Sequence, residues 1–159
     1  MNYLTRQIVF REIPDEISLS YLITGCSLHC EGCHSVDSWS LRGGYPLTGA
    51  ELARDLNRYQ HWITCVLFMG GDWHQQSLCY LLDQIHQSGL KTALYTGAER
   101  VNSCILEKLD YLKTGRYLQK LGGLDSVLTN QKLIEVKTGR LLNSFFIKQN
   151  QGGFCDSFD

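Results

Sequence analysis

The chain has 159 residues, the length of one domain, with 43% hydrophobic residues and a formal net charge of -1. That charge gives no electrostatic basis for binding nucleic acid, and no apolar run is long enough to cross a bilayer. The first ten residues lack the long apolar segment of a secretory signal, so the expectation is a cytoplasmic, single-domain protein over residues 1–159 with no nucleic-acid or membrane partner.

Residues 1–10 are a short mixed stretch carrying Arg6. Residues 18–24 (SLSYLIT) are β-prone and stop at Gly25. Thr48 with Glu51 three residues later makes a capping box ahead of Leu52, Ala53 and Leu56, which predicts a helix start. Residues 64–69 (TCVLFM) form a continuous apolar run ending at Gly70-Gly71. Leu78, Leu81, Leu82 and Ile85 then recur at helical spacing, with Gly89 as the natural stop. Residues 92–96 (TALYT) are a third apolar run, stopped by Gly97, and Val101, Ile105 and Leu109 make a third helical stripe. Beyond Asp110 the pattern weakens: 111–117 reads as a fourth strand, and 133–136 and 144–148 are candidate edge strands. Short runs that are apolar on both faces are the mark of buried parallel strands. Their alternation with helices implies βαβ units. The expected class is α/β, a partial, open (β/α) barrel with a mostly parallel sheet, because a complete barrel takes about 250 residues.

Seven cysteines are many for such a chain, and the odd number rules out complete internal pairing. Cys26, Cys30 and Cys33 cluster with the spacing C-x3-C-x2-C, while Cys65, Cys79, Cys104 and Cys155 are scattered. Core packing is expected for Cys65, Cys79 and Cys104, and Cys155 lies in a polar tail as a candidate free thiol. Three thiolates on one loop can ligate three corners of a [4Fe–4S] cubane, leaving one iron open to a small chelating molecule. The competing metal reading is zinc, with His29 or His34 completing a Cys3His set. Structural zinc sites, however, usually draw ligands from two separated pairs. Three unrelated buried cysteines are the remaining reading. The cysteine loop, Gly70-Gly71-Asp72 and Tyr95-Thr96-Gly97 each follow a predicted strand, at the edge where parallel α/β sheets bind ligands. His61, His74 and His86 have no partners at ligand spacing and are read as ordinary polar residues.

On these residues the chain resembles the radical S-adenosylmethionine (SAM) superfamily, of which C-x3-C-x2-C is the signature. Within it, the chain resembles the small activating proteins of anaerobic (class III) ribonucleotide reductase. Gly25 to His34 with Ser38-Trp39 and Gly44 are similar to that family's cysteine loop. Gly70-Gly71-Asp72 is similar to its Gly-Gly-acid motif, and Leu94 to Gly97 to its Trp-Thr-Gly strand end. Residues 110–117 (DYLKTGRY), Leu124 and Thr129-Asn130-Gln131 are similar to a late block ending in Ser-Asn-Gln. The chain departs from the family pattern in three places. The stretch 12–20 has neither glycine nor arginine, Trp73 stands where proline is common, and Lys113-Thr114-Gly115 replaces a common Val-Asp-Gly.

The resemblance implies a radical SAM barrel of the partial, open kind. It implies that Cys26, Cys30 and Cys33 ligate the cluster, and that Gly32, Cys33, His34, Gly70, Gly71, Asp72 and Thr96 line the SAM site. No side chain is assigned a catalytic role. One electron from the cluster would cleave SAM to methionine and a 5′-deoxyadenosyl radical, which takes a hydrogen from a glycine of the anaerobic reductase. An electron donor such as flavodoxin or ferredoxin is implied with it. The alternatives are another glycyl-radical enzyme as partner, a small-molecule substrate as in deazapurine synthases, and a non-catalytic metal module.

Overall fold

The computed structural model describes residues 1–147. Cys155 and the last residue of the expected strand 144–148 lie outside them. The strands are β1 (Asn2–Val9), β2 (Ser18–Ile23), β3 (Tyr45–Pro46), β4 (Cys65–Met69), β5 (Lys91–Tyr95), β6 (Tyr111–Thr114), β7 (Lys132–Glu135) and β8 (Arg140–Leu141). Three helices join them: α1 (Gly49–Tyr59), α2 (Gln75–Gln87) and α3 (Ser103–Leu106). The strands form one open α/β sheet in the order β3-β1-β2-β4-β5-β6-β7-β8.

The sheet is mixed, which corrects the expectation of a mostly parallel one. β2, β4, β5 and β6 pair in parallel, but the other four of the seven pairings are antiparallel. The reason lies in the connections. A parallel neighbour needs a crossover, and α1, α2 and α3 supply one each between the four central strands. On the flanks no α-helix makes a crossover: β2 returns beside β1 after residues 10–17, β7 beside β6 after 115–131 and β8 beside β7 after 136–139, while β3 comes back to β1 after the cysteine loop. β1 was hidden in the sequence by its mixed composition, and β3 and β8 by having only two residues each.

The expected helix over 101–109 shrinks to one turn. The Asn102 side chain caps its start by accepting from Cys104 N at 3.0 Å. By residue 108 the chain is already held to β5, because Thr92 Oγ1 donates to the Lys108 carbonyl at 2.7 Å and Thr92 N donates to Asp110 at 2.8 Å. The expected strand 144–148 is instead a 3-10 turn over Asn143–Phe145. The Asn143 amide accepts from Leu133 N at 2.9 Å and donates to the Gln131 carbonyl at 2.8 Å, which fastens the turn beside β7. Cys79 and Cys104 pack against the core as expected, but they are also joined by a disulfide between α2 and α3, because both helices rest on the same core with these two positions facing. Cys65 is fully buried as expected, and burial pushes its thiol up to about 12.

The register sorts side chains to the two faces. Tyr21, Phe68, Leu94 and Leu112 are aligned across the four central strands and bury against Leu52, Leu56, Leu78, Leu82, Ile85 and Ile105 from the helices. Each such side chain contributes about 1.5–3 kcal/mol on burial. The opposite face carries a smaller cluster that includes Val9, Ile13, Cys65, Leu67, Ala93 and Leu133. Among the described residues no helix is long and apolar enough to cross a membrane.

Candidate functional site

The cysteine loop leaves β2 at its C-terminal end and is held by its own backbone. Gly25 N and Cys26 N both donate to the Ser38 carbonyl, at 2.7 and 3.3 Å, and Cys33 N donates to the Cys30 carbonyl at 3.2 Å. Ser38 Oγ donates to the Ser35 carbonyl at 2.7 Å, and Ser35 N points at Cys33 Sγ at 3.4 Å. His29 sits in the left-handed region with φ 46°, a conformation that a non-glycine residue adopts only when its surroundings impose it. From across the sheet, the Arg116 guanidinium donates to the Leu28 carbonyl and ties the loop to the end of β6.

The loop covers a cavity of about 190 Å3 at the C-terminal ends of the parallel strands. Cys26, Cys30 and Cys33 all line it, together with Gly70, Thr96 and Gly97. Its floor follows from strand register. Leu22, Met69, Tyr95 and Lys113 are aligned across β2, β4, β5 and β6, one residue on from the core row, so all four turn to the other face and into the cavity. Among the described residues no three His, Cys, Asp or Glu side chains are gathered closely enough to hold one metal ion. The three thiols come from one short loop and line one cavity, whereas structural zinc sites usually draw on two separated ligand pairs.

The other sequence-predicted residues divide. Gly70 continues the ladder, its N donating to the Tyr95 carbonyl at 2.7 Å, and Gly71 accepts from His74 N at 2.8 Å. Their φ values of 83° and 104° are left-handed, so the turn itself demands glycine. Asp72 does not line the cavity, yet its Oδ1 is buried without a hydrogen-bond partner in the described structure. An orphaned buried carboxylate oxygen is costly and suits a cationic or hydrogen-bond-donating group. Thr96 is buried and lines the cavity, with its Oγ1 accepting from Ala98 N at 3.0 Å. Gly71 lies outside the lining, with Ile23 next to where a Cβ would stand. Gly32 and His34 are exposed and also outside it; the His34 ring packs 5.6 Å from Tyr117, and that of His29 4.6 Å from Trp39.

Three further contributors were named in the sequence only as members of motifs, with no site role. Lys113 and Tyr95 stand in the floor row, and Gln131 closes the cavity while its Nε2 donates to the Gly115 carbonyl at 3.1 Å. A lysine inside an otherwise apolar strand was the available signal. Burial lowers the Lys113 ammonium to about 8, with Cys30 and Cys33 acting in the opposite sense.

Residues 17–134 match the 4Fe-4S single cluster domain family, from just before β2 through β7. The chain belongs to that family. Its cofactor class is thus a [4Fe–4S] cluster, in agreement with the chemistry of the cysteine loop. The chain is also similar to the pyruvate formate-lyase-activating enzyme of Clostridium pasteurianum, at 33% identity over 78 residues. That match covers 45% of this chain and 33% of the relative, so the chain spans about one third of the relative's length where they align.

Proposed function

We propose that the chain is a radical SAM activating enzyme, a single domain folded as a partial, open (β/α) barrel, that installs a glycyl radical on a protein partner. The observation that carries this reading is the meeting of Cys26, Cys30 and Cys33 with Gly70 and Thr96 around one cavity. When bound, the cluster and SAM would supply a one-electron cleavage that yields a carbon radical able to take a hydrogen atom. The chain's own residues bind and orient. The three thiolates hold the cluster through three irons. The Gly70-Gly71 turn would offer its backbone to the SAM ammonium where Gly70 meets the cavity, Asp72 would favour that charge from behind the lining, and Thr96 would bound the rest of the molecule. Leu22, Met69 and Tyr95 keep water from the floor.

The resemblance of the late block is what favours anaerobic ribonucleotide reductase as the partner. Within the chain, Asn130 Nδ2 donates to the Arg116 carbonyl at 2.9 Å, so the same block braces the rim where Arg116 grips the cysteine loop. The relative's name favours a second reading, in which the partner is pyruvate formate-lyase. A flavodoxin or ferredoxin is the expected electron donor. Anaerobically reconstituted protein is expected to carry about four iron and four sulfide per chain. SAM should change the electron paramagnetic resonance spectrum of the reduced cluster. A glycyl radical should then appear on the anaerobic reductase and not on pyruvate formate-lyase. One zinc per chain, or a spectrum indifferent to SAM, overturns the reading; a radical on pyruvate formate-lyase alone replaces the partner.

A further inference from the structure

We propose that Lys113 is a positioning residue for charge at the rim: its ammonium faces the anionic group held by Cys26, Cys30 and Cys33 and makes that group easier to reduce. The inference rests on the iron–sulfur reading above.

Among the residues that line the cavity, Lys113 is the one cation apart from any histidine, and no carboxylate joins it. None of the ion pairs among the described residues involves it. Its partners in the floor row are Leu22, Met69 and Tyr95, and its Nζ lies 5.6 Å from the centre of the Tyr95 ring. That ring is a fixed platform, because the Tyr95 hydroxyl donates to the Glu12 carbonyl. A cation–π contact is worth about 0.5–2 kcal/mol, and it orients the ammonium without neutralising it. A half-buried ammonium among apolar side chains carries a desolvation cost that these groups do not offset. Among the described residues that line the cavity no carboxylate stands beside it, so an anionic ligand is the partner this charge calls for.

Three thiolates on a cubane form such an anion. Reduction adds one electron, taken from a one-electron donor of the flavodoxin or ferredoxin class, which is oxidised by the same electron. No bond forms or breaks and no proton moves, so the site becomes more negative by one charge while Lys113 keeps its own. Away from bulk water a fixed positive charge favours that added electron more strongly than it would in solvent. Lys113 is thereby placed to raise the reduction potential and ease electron entry.

The test is a redox titration of the reconstituted cluster without SAM, followed by electron paramagnetic resonance, on wild type, Lys113→Gln, Lys113→Met and Lys113→Arg. Iron and sulfide are measured on the same samples. Both neutral variants are expected to shift the oxidised-to-reduced ratio about tenfold toward the oxidised form at fixed poise, which is about 59 mV for one electron. Lys113→Arg should stay near wild type. An unchanged potential in either neutral variant with full iron content overturns the inference and leaves the iron–sulfur reading standing. So does a loss of SAM affinity alone, which would assign the ammonium to the SAM carboxylate. Native folding with cluster loss in both neutral variants, rescued by arginine, supports the charge dependence. A wild-type chain that takes up no iron overturns the underlying reading and this inference with it.

Discussion

Two lysines on neighbouring strands occupy the same face of the sheet at opposite edges. Lys91 opens β5 and Lys113 stands near the end of β6, and each ammonium lies 5.6 Å from the centre of a tyrosine ring. Lys91 is paired. It donates to Glu16, whose side chain is only 4% exposed, and to Tyr111 Oη at 3.2 Å, and these hydrogen bonds raise its pKa. Tyr111 also donates to Glu16 at 2.8 Å. Lys113 has the aromatic ring and no carboxylate, and burial lowers its pKa. The difference is one of partners: the charge at the far edge is neutralised from within by Glu16, whereas the charge at the cavity rim has no carboxylate beside it among the described lining residues.

The sharpest break in this comparison comes from the rim thiols. Cys26→Ala, Cys30→Ala or Cys33→Ala is expected to abolish SAM cleavage and lower iron content, while unfolding by urea stays near wild type. Cys65→Ala, behind the sheet, should retain both iron and cleavage. Full activity in any of the first three variants would remove that cysteine from the site.

A smaller effect, and the opposite pattern, is expected at the far edge. Glu16→Gln removes a charged hydrogen-bond acceptor and should cost about 2 kcal/mol of stability at neutral pH, with cluster content unchanged. The pH dependence gives a second reading of the same group. Burial alone would raise the Glu16 carboxyl, but hydrogen bonds from Lys91, Thr64 and Tyr111 outweigh it and hold its pKa below the ordinary 4.5. Its contribution is therefore complete above about pH 4.5 and is lost as pH falls through the lower, folded value. The gap between wild type and Glu16→Gln in urea titrations should narrow on acidification. A gap that does not change with pH would assign the loss to packing rather than charge.

The smallest expected effect is at Gly97. Its backbone is not left-handed, so a methyl group brings no strain of its own, but a Cβ there would run into Leu28 of the cysteine loop. Gly97→Ala should leave global stability within about 1 kcal/mol, since a flexible leucine can give way. The loop moves with Leu28, and the cluster should be lost to a chelator a few-fold faster than from wild type. Gly70 and Gly71 are poorer probes of the same rim, because any side chain there first opposes the left-handed turn. Equal rates of chelation in Gly97→Ala and wild type would show that the loop is not seated on Gly97.

β2, β4 and β5 were legible as short β-prone or apolar runs closed by glycine, and the helix start at Thr48 was legible from the capping box, of which one half forms: Thr48 Oγ1 accepts from Glu51 N at 3.2 Å while the Glu51 carboxylate pairs with Arg6 and Arg54. The cysteine loop was legible from spacing as a candidate cluster site, and the family match agrees with the cofactor class that spacing suggested. Strand order and direction were not. Whether a strand returns parallel or antiparallel depends on what lies between the pairing edges, and β1, β3 and β8 carry too little hydrophobic pattern to announce themselves. Nor could the sequence join Cys79 to Cys104, which takes two helices resting on one core. Lys113 is the clearest case. Its identity and strand were visible in the sequence. Its position beside Tyr95, on the cavity face and away from any carboxylate, was decided only when three parallel registers aligned residues 22, 69, 95 and 113, because a shift of one residue turns every side chain of a strand to the other face.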